Sequence, residues 1–504
     1  MSLPSKPAPV PSDLSRPYWE AAAQGRLVLQ GCAACGMLRH YPRLLCDRCY
    51  STEVRWHEAS GRGRIHSWTV AHHAYHPAFA DELPYTLVTV DLEEGVRALG
   101  RWRGEGPLAI GNDVLGRFVA REGGVDLVFE PRAPAQCAAS QRAQGKPAMG
   151  SDLKMSVAPA ANQADARAGG AASSAEQVVA GLEALIIDAI PTAHDFGFVG
   201  VERAAGGLSR ENWSLDATWV DATGAQSRRL MLMRDAAGTL LATDRKREFA
   251  VLKALEATSV AAPKAHWLDD DGRRLGAPSL IMDRMPGTCD YMVLNGARPL
   301  EARLNLARAF IDLMARIHAV DWRDRGLGAV LDVPTGAPSL VELAHWEAEY
   351  RRVRLEPHPE LDFVLAWMRL GAPEAEAIVL VHGDFKPGNA LIEGDHISAK
   401  LDWETAHLGD PLEDLGWVTN PVRKREHQIA GSWEREQIVA AYRALTGRRV
   451  DEAALRWWNV FSCWKLAVIQ LTAVSEFVNG RYNRVFQTPS WLYRPMFQLM
   501  ERAA

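Results

Sequence analysis

No run of about 20 consecutive apolar residues occurs in the 504 residues, so no membrane-spanning helix is expected. The opening stretch, MSLPSKPAPVPSD, lacks the apolar core of a secretory leader, and none is expected. Neither charge sign is in excess. The 57 Lys and Arg stand against 62 Asp and Glu, a net −5, which argues against a chain that binds nucleic acid or an anionic membrane over its whole surface. Cysteine is scarce, seven in all, yet four fall in two tight pairs. That pattern reads as a metal site in a reducing compartment, with the cytoplasm as the expected location. No internal repeat is visible. What is present is ordinary for a globular chain, 47% hydrophobic and 24% charged. At this length about three folding units are expected, with cores that need no disulfides.

Residues 1–16 are Pro- and Ser-rich and read as a flexible N-terminus. From 17 to 131 a short amphipathic helix precedes the β-rich runs IHSWTV, YTLVTVDL, VRALGRW and DVLGRFVA, spaced by Gly, Pro and Asp as in a small barrel or sandwich. The stretch 131–175 holds fifteen alanines, one Leu, one Val, no Ile and no aromatic residue. It cannot bury enough apolar surface to offset its ordering entropy, so 132–175 reads as a disordered linker; its Gly and Pro interruptions argue against an Ala-rich helix. From 176 to 504 the chain is globular again. AEQVVAGLEALIIDAI and KREFAVLKALEA have helical periodicity, and NWSLDATW, SRRLMLMRD and APSLIMDRM read as strands. A β-rich lobe to about 288 and a mostly helical lobe over 289–504 predict a two-lobed α+β architecture.

Cys32-x-x-Cys35 and Cys46-x-x-Cys49 are separated by ten residues. Each knuckle turns two thiolates inward, and two facing knuckles give the tetrahedral sulfur site that suits Zn²⁺. Four protein ligands leave no open position, so this zinc is expected to be structural. Cys289 and Cys463 read as core residues and Cys137 as a linker thiol. His72, His73 and His76 read as a solvated loop in preference to a second metal site. With GRLVLQGCAACG, PRLLCDRC, LPYTLVTVDLEEGVRALGRW and IGNDVLGRFVA in this order, residues 15–131 resemble a rubredoxin-like zinc ribbon joined to an OB-fold barrel, the family catalogued as domain of unknown function thirty-five. The resemblance implies an acyl-CoA context and an acyl-CoA enzyme as a possible partner. OB-folds also bind single strands, and Arg62, Arg64, Arg97, Arg101 and Arg103 accompany Trp68 and Trp102 here. The overall acidity makes nucleic acid the lesser reading, and the same arginines could face the phosphates of a CoA.

The densest chemistry is His382-Gly383-Asp384-Phe385-Lys386-Pro387-Gly388-Asn389, then Asp402-Trp403-Glu404, then Asp410 and Asp414. ALIEGDHISAKL reads as a hairpin with Gly394-Asp395 at its turn, folding Asp402 back beside Asn389. Phosphoryl transfer asks for one carboxylate at the acceptor hydroxyl, and for a second carboxylate with an amide oxygen to hold Mg²⁺. Asp384 fits the first role, Asn389 and Asp402 the second, and Asp384 and Asn389 have the D-x-x-x-x-N spacing of a kinase catalytic loop. His382 would buttress that loop. The segment resembles the aminoglycoside phosphotransferase family, a protein-kinase-like fold, over about residues 176–504, and most closely the kinase domains linked to acyl-CoA dehydrogenases. The resemblance implies Asp384 as catalytic base, Asn389 and Asp402 on Mg²⁺, and Asp410 and Asp414 as loop supports.

On the nucleotide side, Gly206, Gly207 and Ser209 can close a backbone turn over phosphates. Glu248 matches the helix glutamate that pairs with a phosphate-binding lysine. That lysine is missing, and Arg234 stands near its expected place in RRLMLMRD. Asp283 and Met285 lie where the inter-lobe hinge would meet adenine. The tryptophans Trp346, Trp367, Trp457, Trp458 and Trp464 read mainly as core, with some available to an acceptor pocket. These features predict an ATP- and Mg²⁺-dependent kinase for a small-molecule hydroxyl, with a hydroxyacyl-CoA as the favoured acceptor. The alternatives are an aminoglycoside-, choline- or sugar-type kinase, and a pseudokinase scaffold that recruits acyl-CoA enzymes.

Overall fold

The computed structural model describes residues 6–72, 74, 76–105, 108–132, 175–204, 210–235, 244–480 and 488–501. The linker expected over 132–175 lies outside the described residues except for its two ends. The chain divides into two compact units, residues 1–159 with 357–360, and residues 160–356 with 361–504.

In the first unit, helix α1 (Arg16–Ala23) starts with Pro17 in its first turn, where a missing N–H costs nothing. Strands β1 (Val28–Cys32), β2 (Leu38–Arg39) and β3 (Val54–Glu58) form a small sheet in the order β2-β1-β3. Strands β4 (Arg62–Ala71), β5 (Tyr85–Leu92), β6 (Arg97–Trp102), β7 (Asp113–Arg121) and β8 (Gly124–Pro131) close into a barrel in the order β4-β5-β6-β8-β7. Its β6–β8 pair is parallel and its other pairs antiparallel. This is the OB-fold order. Alternate residues fill the interior, among them Val88, Val90, Ala98, Val114, Leu127 and Phe129, with Tyr18 and Ala21 of α1 packed on the same core. Phe129 fits because glycines stand on both neighbouring strands. A Cβ at Gly100 or Gly116 would come within 2.8 or 2.6 Å of its ring. Arg121 donates to the Pro7 carbonyl at 3.1 Å and Lys6 pairs with Glu82, so this end of the segment expected to be flexible lies along the barrel.

The second unit opens with α2 (Ala175–Ala189), then β9 (His194–Arg203), β10 (Arg210–Asp221), β11 (Gly224–Asp235), α3 (Arg245–Leu255), β12 (Ala265–Asp269) and β13 (Ser279–Asp283). The strands form one antiparallel sheet, β12-β13-β11-β10-β9. One face, with Leu215, Ala217, Leu230 and Leu232, buries against Val178, Leu182 and Ile186 of α2. The edge strands β9 and β12 were not expected from the sequence. Strand β14 (Thr288–Cys289) leads into helices α4 (Leu300–His318), α5 (Pro338–Val353) and α6 (Pro359–Leu370). Strand β15 (Val379–Val381), the hairpin β16 (Ala390–Glu393) and β17 (His396–Lys400), and β18 (His407–Gly409) follow. The chain ends in α7 (Leu412–Val418), α8 (Lys424–His427), α9 (Arg435–Thr446), α10 (Glu452–Val478) and α11 (Ser490–Glu501). The hairpin turns at Gly394-Asp395 as its spacing predicts.

Among the described residues α10, 27 residues long, is long and apolar enough to cross a membrane, which the reading of the sequence did not expect. The structure places it in the core instead. Of its most apolar window 72% is buried, and Trp457, Trp458 and Trp464 are closed from solvent. The tryptophans expected to pack do so there. The polar groups Asn459, Ser462 and Lys465 that interrupt the apolar pattern are bonded inside the unit.

Candidate functional site

The zinc-ribbon ligands come from two backbone knuckles. Gly36 donates to the Cys32 carbonyl at 2.9 Å and Tyr50 to that of Cys46 at 2.8 Å, turns that bring each CxxC pair to one side. The Cys32 and Cys49 sulfurs lie 3.5 Å apart, as do those of Cys35 and Cys46, and all four ligand atoms lie within 4.8 Å of one another. A tetrahedron with Zn–S bonds of about 2.3 Å has edges of about 3.8 Å, so the quartet fits a zinc ion. His73 lies outside the described residues. Among those described, no metal-holding cluster forms at His72 or His76, and His76 accepts a hydrogen bond from the Ala78 amide at 3.2 Å.

In the second unit, buried strand β15 delivers the loop 382–389. Asp414, at the start of α7, receives the amides of His382 at 2.8 Å and Gly383 at 2.9 Å. Burial would raise the Asp414 carboxyl, but His318, 3.2 Å away, holds it at about 2. Burial, with Lys400 nearby, pushes the His382 imidazole down to about 3. It is therefore neutral, with Nε2 donating to the Leu401 carbonyl at 3.0 Å and Nδ1 accepting the Asp384 amide at 3.2 Å. One ring thus spaces the loop against the segment that carries Asp402. Asp410 acts one step away. It caps α7 through the Leu412 amide at 2.9 Å and accepts from Trp458 at 3.0 Å, and burial lifts its carboxyl to about 6.

Asp384 Oδ2 accepts Lys386 Nζ at 2.5 Å and Asn389 Nδ2 at 2.9 Å, while its Oδ1 is buried without a partner among the described residues. Burial would raise this carboxyl, but Lys386 and Arg423 outweigh it and hold the group well below the usual carboxylate range. It is an ionised acceptor with one oxygen left over. The Leu401 amide donates to the Asn389 carbonyl at 2.8 Å, setting Asp402 beside Asn389. Asp402 has a left-handed backbone, φ +67°. Gly383 is also left-handed, φ +80°, and a Cβ there would stand 2.7 Å from the Thr405 carbonyl oxygen. Lys400 is fully buried beneath the loop, donating to the Lys386 carbonyl at 3.2 Å, and burial lowers its ammonium to about 7.

These groups face a cavity of about 610 Å³. Met231, Met233, Met282, Asn212 and Glu248 of the first lobe line one side, and Trp346, Trp417, Leu466, Ile469 and Thr472 of the helical lobe line the other. Asp384, Lys386, Asn389 and Asp402 belong to the same lining. The carboxylate of Asp402 and the amide oxygen of Asn389, whose nitrogen is turned to Asp384, are a donor set that fits Mg²⁺.

Three expectations need correction. Arg234 does not line the cavity. It shares the parity of Leu230 and Leu232, so the two-residue period of a strand turns it away, 3.8 Å from Glu211, while Met231 and Met233 take the cavity face. Glu248 does line the cavity and pairs with Arg245, one turn earlier on α3, which also bonds Asp235. Asp283 bonds His266 at 2.6 Å and donates its amide to Lys264, and neither it nor Met285 lines the cavity; Met282 does. Cys289 is exposed at the cavity and is not a core residue, because β14 is a two-residue edge strand; Cys463 is buried. Gly206, Gly207 and Ser209 lie outside the described residues.

The sequence reading missed a buried charged cluster behind the loop. Lys465 of α10 donates to the Gly383 carbonyl at 2.9 Å and to Glu413 at 3.0 Å, with Glu342 3.7 Å away. His407 bonds Glu413 at 3.0 Å, and Trp346 Nε1 donates to Glu342 at 2.7 Å. Burial opposes the charge on His407, but Glu342 and Glu413 raise the imidazolium to about 10. Two carboxylates and two cations balance. Glu342, His407 and Glu413 have the spacing of a metal site, and Lys465 already supplies the cation. A lysine alone inside an apolar helix was the available signal.

Residues 201–458, just over half of the chain, match the family model described as the phosphotransferase enzyme family. Residues 19–55 match the ChsH2 rubredoxin-like zinc ribbon domain, and 56–119 the ChsH2 C-terminal OB-fold domain. Acyl-CoA dehydrogenase family member 10 of Mus musculus is 31% identical over 195 residues, 38% of this chain and 18% of that protein. The Probable enoyl-CoA hydratase alpha subunit of Thermomonospora curvata is 41% identical over 122 residues, 24% of this chain and 38% of that protein. These matches span between about a fifth and two-fifths of the curated relatives' own length. A solved Ralstonia eutropha structure assigned as an aminoglycoside phosphotransferase matches with a TM-score of 0.52 and 20% identity, over 64% of this chain and 98% of that one. The expected zinc ribbon, OB-fold barrel and kinase-like fold are borne out.

Proposed function

The chain belongs to the phosphotransferase enzyme family, and on that premise we propose that it transfers the γ-phosphoryl group of ATP to a hydroxyl of a hydroxyacyl-CoA or a related acyl metabolite. The fold is that of a small-molecule kinase using ATP with Mg²⁺, carried with a structural zinc ribbon. The observation that carries the reading is the orphaned Asp384 Oδ1 in a cavity it shares with Asn389 and Asp402.

Mg²⁺, when bound, neutralises phosphate charge; Asn389 and Asp402 are the residues to hold it. Asp384 Oδ1 accepts the proton of the substrate hydroxyl as its oxygen bonds to the γ-phosphorus and the bond from that phosphorus to the β,γ-bridging oxygen breaks, leaving ADP. Lys386 keeps Asp384 ionised and Asn389 fixes its orientation. The acyl acceptor is supported by the apolar wall of Trp346, Trp417, Leu466 and Ile469, which suits a methylene chain. It is supported also by relatives named for acyl-CoA chemistry. The first unit would then recruit an acyl-CoA enzyme, in the cytoplasm.

Purified full-length protein, assayed for ADP formation and for phosphorylated product, should turn over hydroxyacyl-CoAs in preference to aminoglycosides, choline and sugars. Asp384→Asn should bind Mg·ATP but lose about 10²–10⁴-fold in kcat. Asp402→Asn should lose metal affinity and rate together, with partial rescue at high Mg²⁺. Near-normal transfer by both variants would sink the assignment. ATP binding without transfer to any acceptor would favour a scaffold, a reading that the cavity-facing Met233 in place of a lysine supports.

A further inference from the structure

Two of the cavity's lining side chains carry hydrogen-bond donors that have no acceptor among the described residues. Trp417 is 4% exposed and its indole Nε1–H is buried without a partner. Arg423, 7% exposed, holds its guanidinium carbon 4.3 Å from the centre of the Trp417 ring, and its Nε–H is likewise buried and unpartnered. One arm of the guanidinium is anchored by Glu426. Its Nη2 donates to one Glu426 oxygen at 2.6 Å, and the other Glu426 oxygen accepts Tyr291 at 2.7 Å. Glu426 is thereby engaged on both sides, and the stacked pair is held in place.

Buried N–H groups without acceptors are costly, and two of them on stacked side chains of one catalytic cavity ask for a common oxygen. What they ask for is specific in sign. One N–H on an indole and one on a guanidinium, with the Lys465 ammonium 5.7 Å from the Trp417 ring centre, repel an ammonium and donate to a carbonyl or carboxylate oxygen. The apolar residues alongside, Leu466 and Ile469, suit the methylene chain that would carry it.

We infer that Trp417 and Arg423 form a subsite for the carbonyl or carboxylate oxygen of the phosphoryl acceptor, so that the acceptor is a hydroxylated acyl group read at two points. This rests on the kinase reading above and adds to it the residues that select the acyl end. Asp384 takes the hydroxyl, Trp417 and Arg423 take the acyl oxygen, and the chain between them lies on the apolar wall. A thioester and a free acid present the same oxygen chemistry and differ in charge.

The test is a binding measurement, independent of turnover. Full-length protein saturated with a non-hydrolysable ATP analogue and Mg²⁺ is titrated calorimetrically with hexanoate, hexanoyl-pantetheine and hexanol. Hexanol, which has no carbonyl, should bind about tenfold or more weakly than the better of the other two, the scale of one lost charge-assisted hydrogen bond. Tighter binding of hexanoate than of the thioester assigns the subsite to free acids, and the reverse order to thioesters. Trp417→Phe, which removes only the indole N–H donor and part of the ring, and Arg423→Lys, which keeps the charge facing Glu426, should each shrink the preference over hexanol. Equal binding of all three ligands by the wild type, or an undiminished preference in both variants with unchanged thermal melts, overturns the proposal. A wild type that shows the preference yet never transfers phosphate keeps the subsite and removes the kinase reading.

Discussion

Replacing Lys465 by Met is the sharpest probe of the charged cluster behind the catalytic loop. The side chain is 2% exposed and ends between the Gly383 carbonyl, Glu413 and Glu342, framed by the rings of Trp346, Trp417 and Phe461 at 5.0, 5.7 and 5.9 Å. Methionine fills a similar volume, so the perturbation is mainly the lost charge. Glu342 and Glu413 are then left with His407 alone, one negative charge in excess inside the unit. Removing one partner of a buried ion pair costs about 3–5 kcal/mol. With a urea slope near 3 kcal/mol per molar, the unfolding midpoint of the tryptophan-rich unit should fall by about 1–2 M. Glu413→Gln alone leaves the opposite excess, and the double variant restores neutrality. It should therefore be more stable than the sum of the single losses by more than about 1 kcal/mol. Because the carbonyl that Lys465 holds is that of the residue preceding Asp384, kcat should fall about tenfold with little change in KM for ATP. Fluorescence-monitored urea unfolding and steady-state kinetics on the same preparations decide it. A single variant within about 0.5 kcal/mol of wild type, or additive losses in the double, would refute the reasoning.

Two further outcomes are expected. Elemental analysis of protein purified without chelator should give about one zinc per chain, lost in Cys46→Ser together with protease resistance of the ribbon; a folded, metal-free ribbon would count against the site. The urea midpoint of the helical unit should fall as pH drops from 7 to 4. His382, at about 3 in the folded chain against about 6.5 unfolded, contributes stability that is complete above 6.5 and lost as pH falls towards 3. Asp414, held at about 2, loses its share in the same direction, and Asp410, lifted to about 6, opposes both over a shorter span; a flat or rising midpoint would be contrary.

The parts of the site legible in the sequence are those in which chemistry and local spacing coincide. The two CxxC knuckles and the Asp384–Asn389 loop carry their geometry within a few residues, and the hairpin that returns Asp402 to Asn389 declares itself by its Gly-Asp turn. Arg234 was misplaced because a strand's register decides a side chain's face, and a shift of one residue exchanges Arg234 for Met233. Asp283 was misplaced for a related reason: its partner, His266, comes from β12, an edge strand too short and mixed in composition to announce itself. The Lys465 cluster draws on α5, β18, α7 and α10, and Trp417 with Arg423 on α7 and the turn that follows it. No local pattern can report a neutral arrangement assembled from elements spread over more than 100 residues of chain. Within α10 the lysine did stand out against an apolar background, which is the trace such a cluster leaves.

The left-handed backbone at Asp402 sets folding and chemistry against each other at one position. An aspartate held at φ +67° carries a conformational cost that glycine would not, of order 1 kcal/mol. Glycine would relax the turn and delete the carboxylate that faces the cavity. A mutant library screened only for heat resistance or yield would therefore drift towards glycine at 402, and its best-folded members would be inert. The same library screened for turnover would keep aspartate and accept the strain. Stabilising this protein for practical use means looking elsewhere in the chain and holding residue 402 fixed from the start.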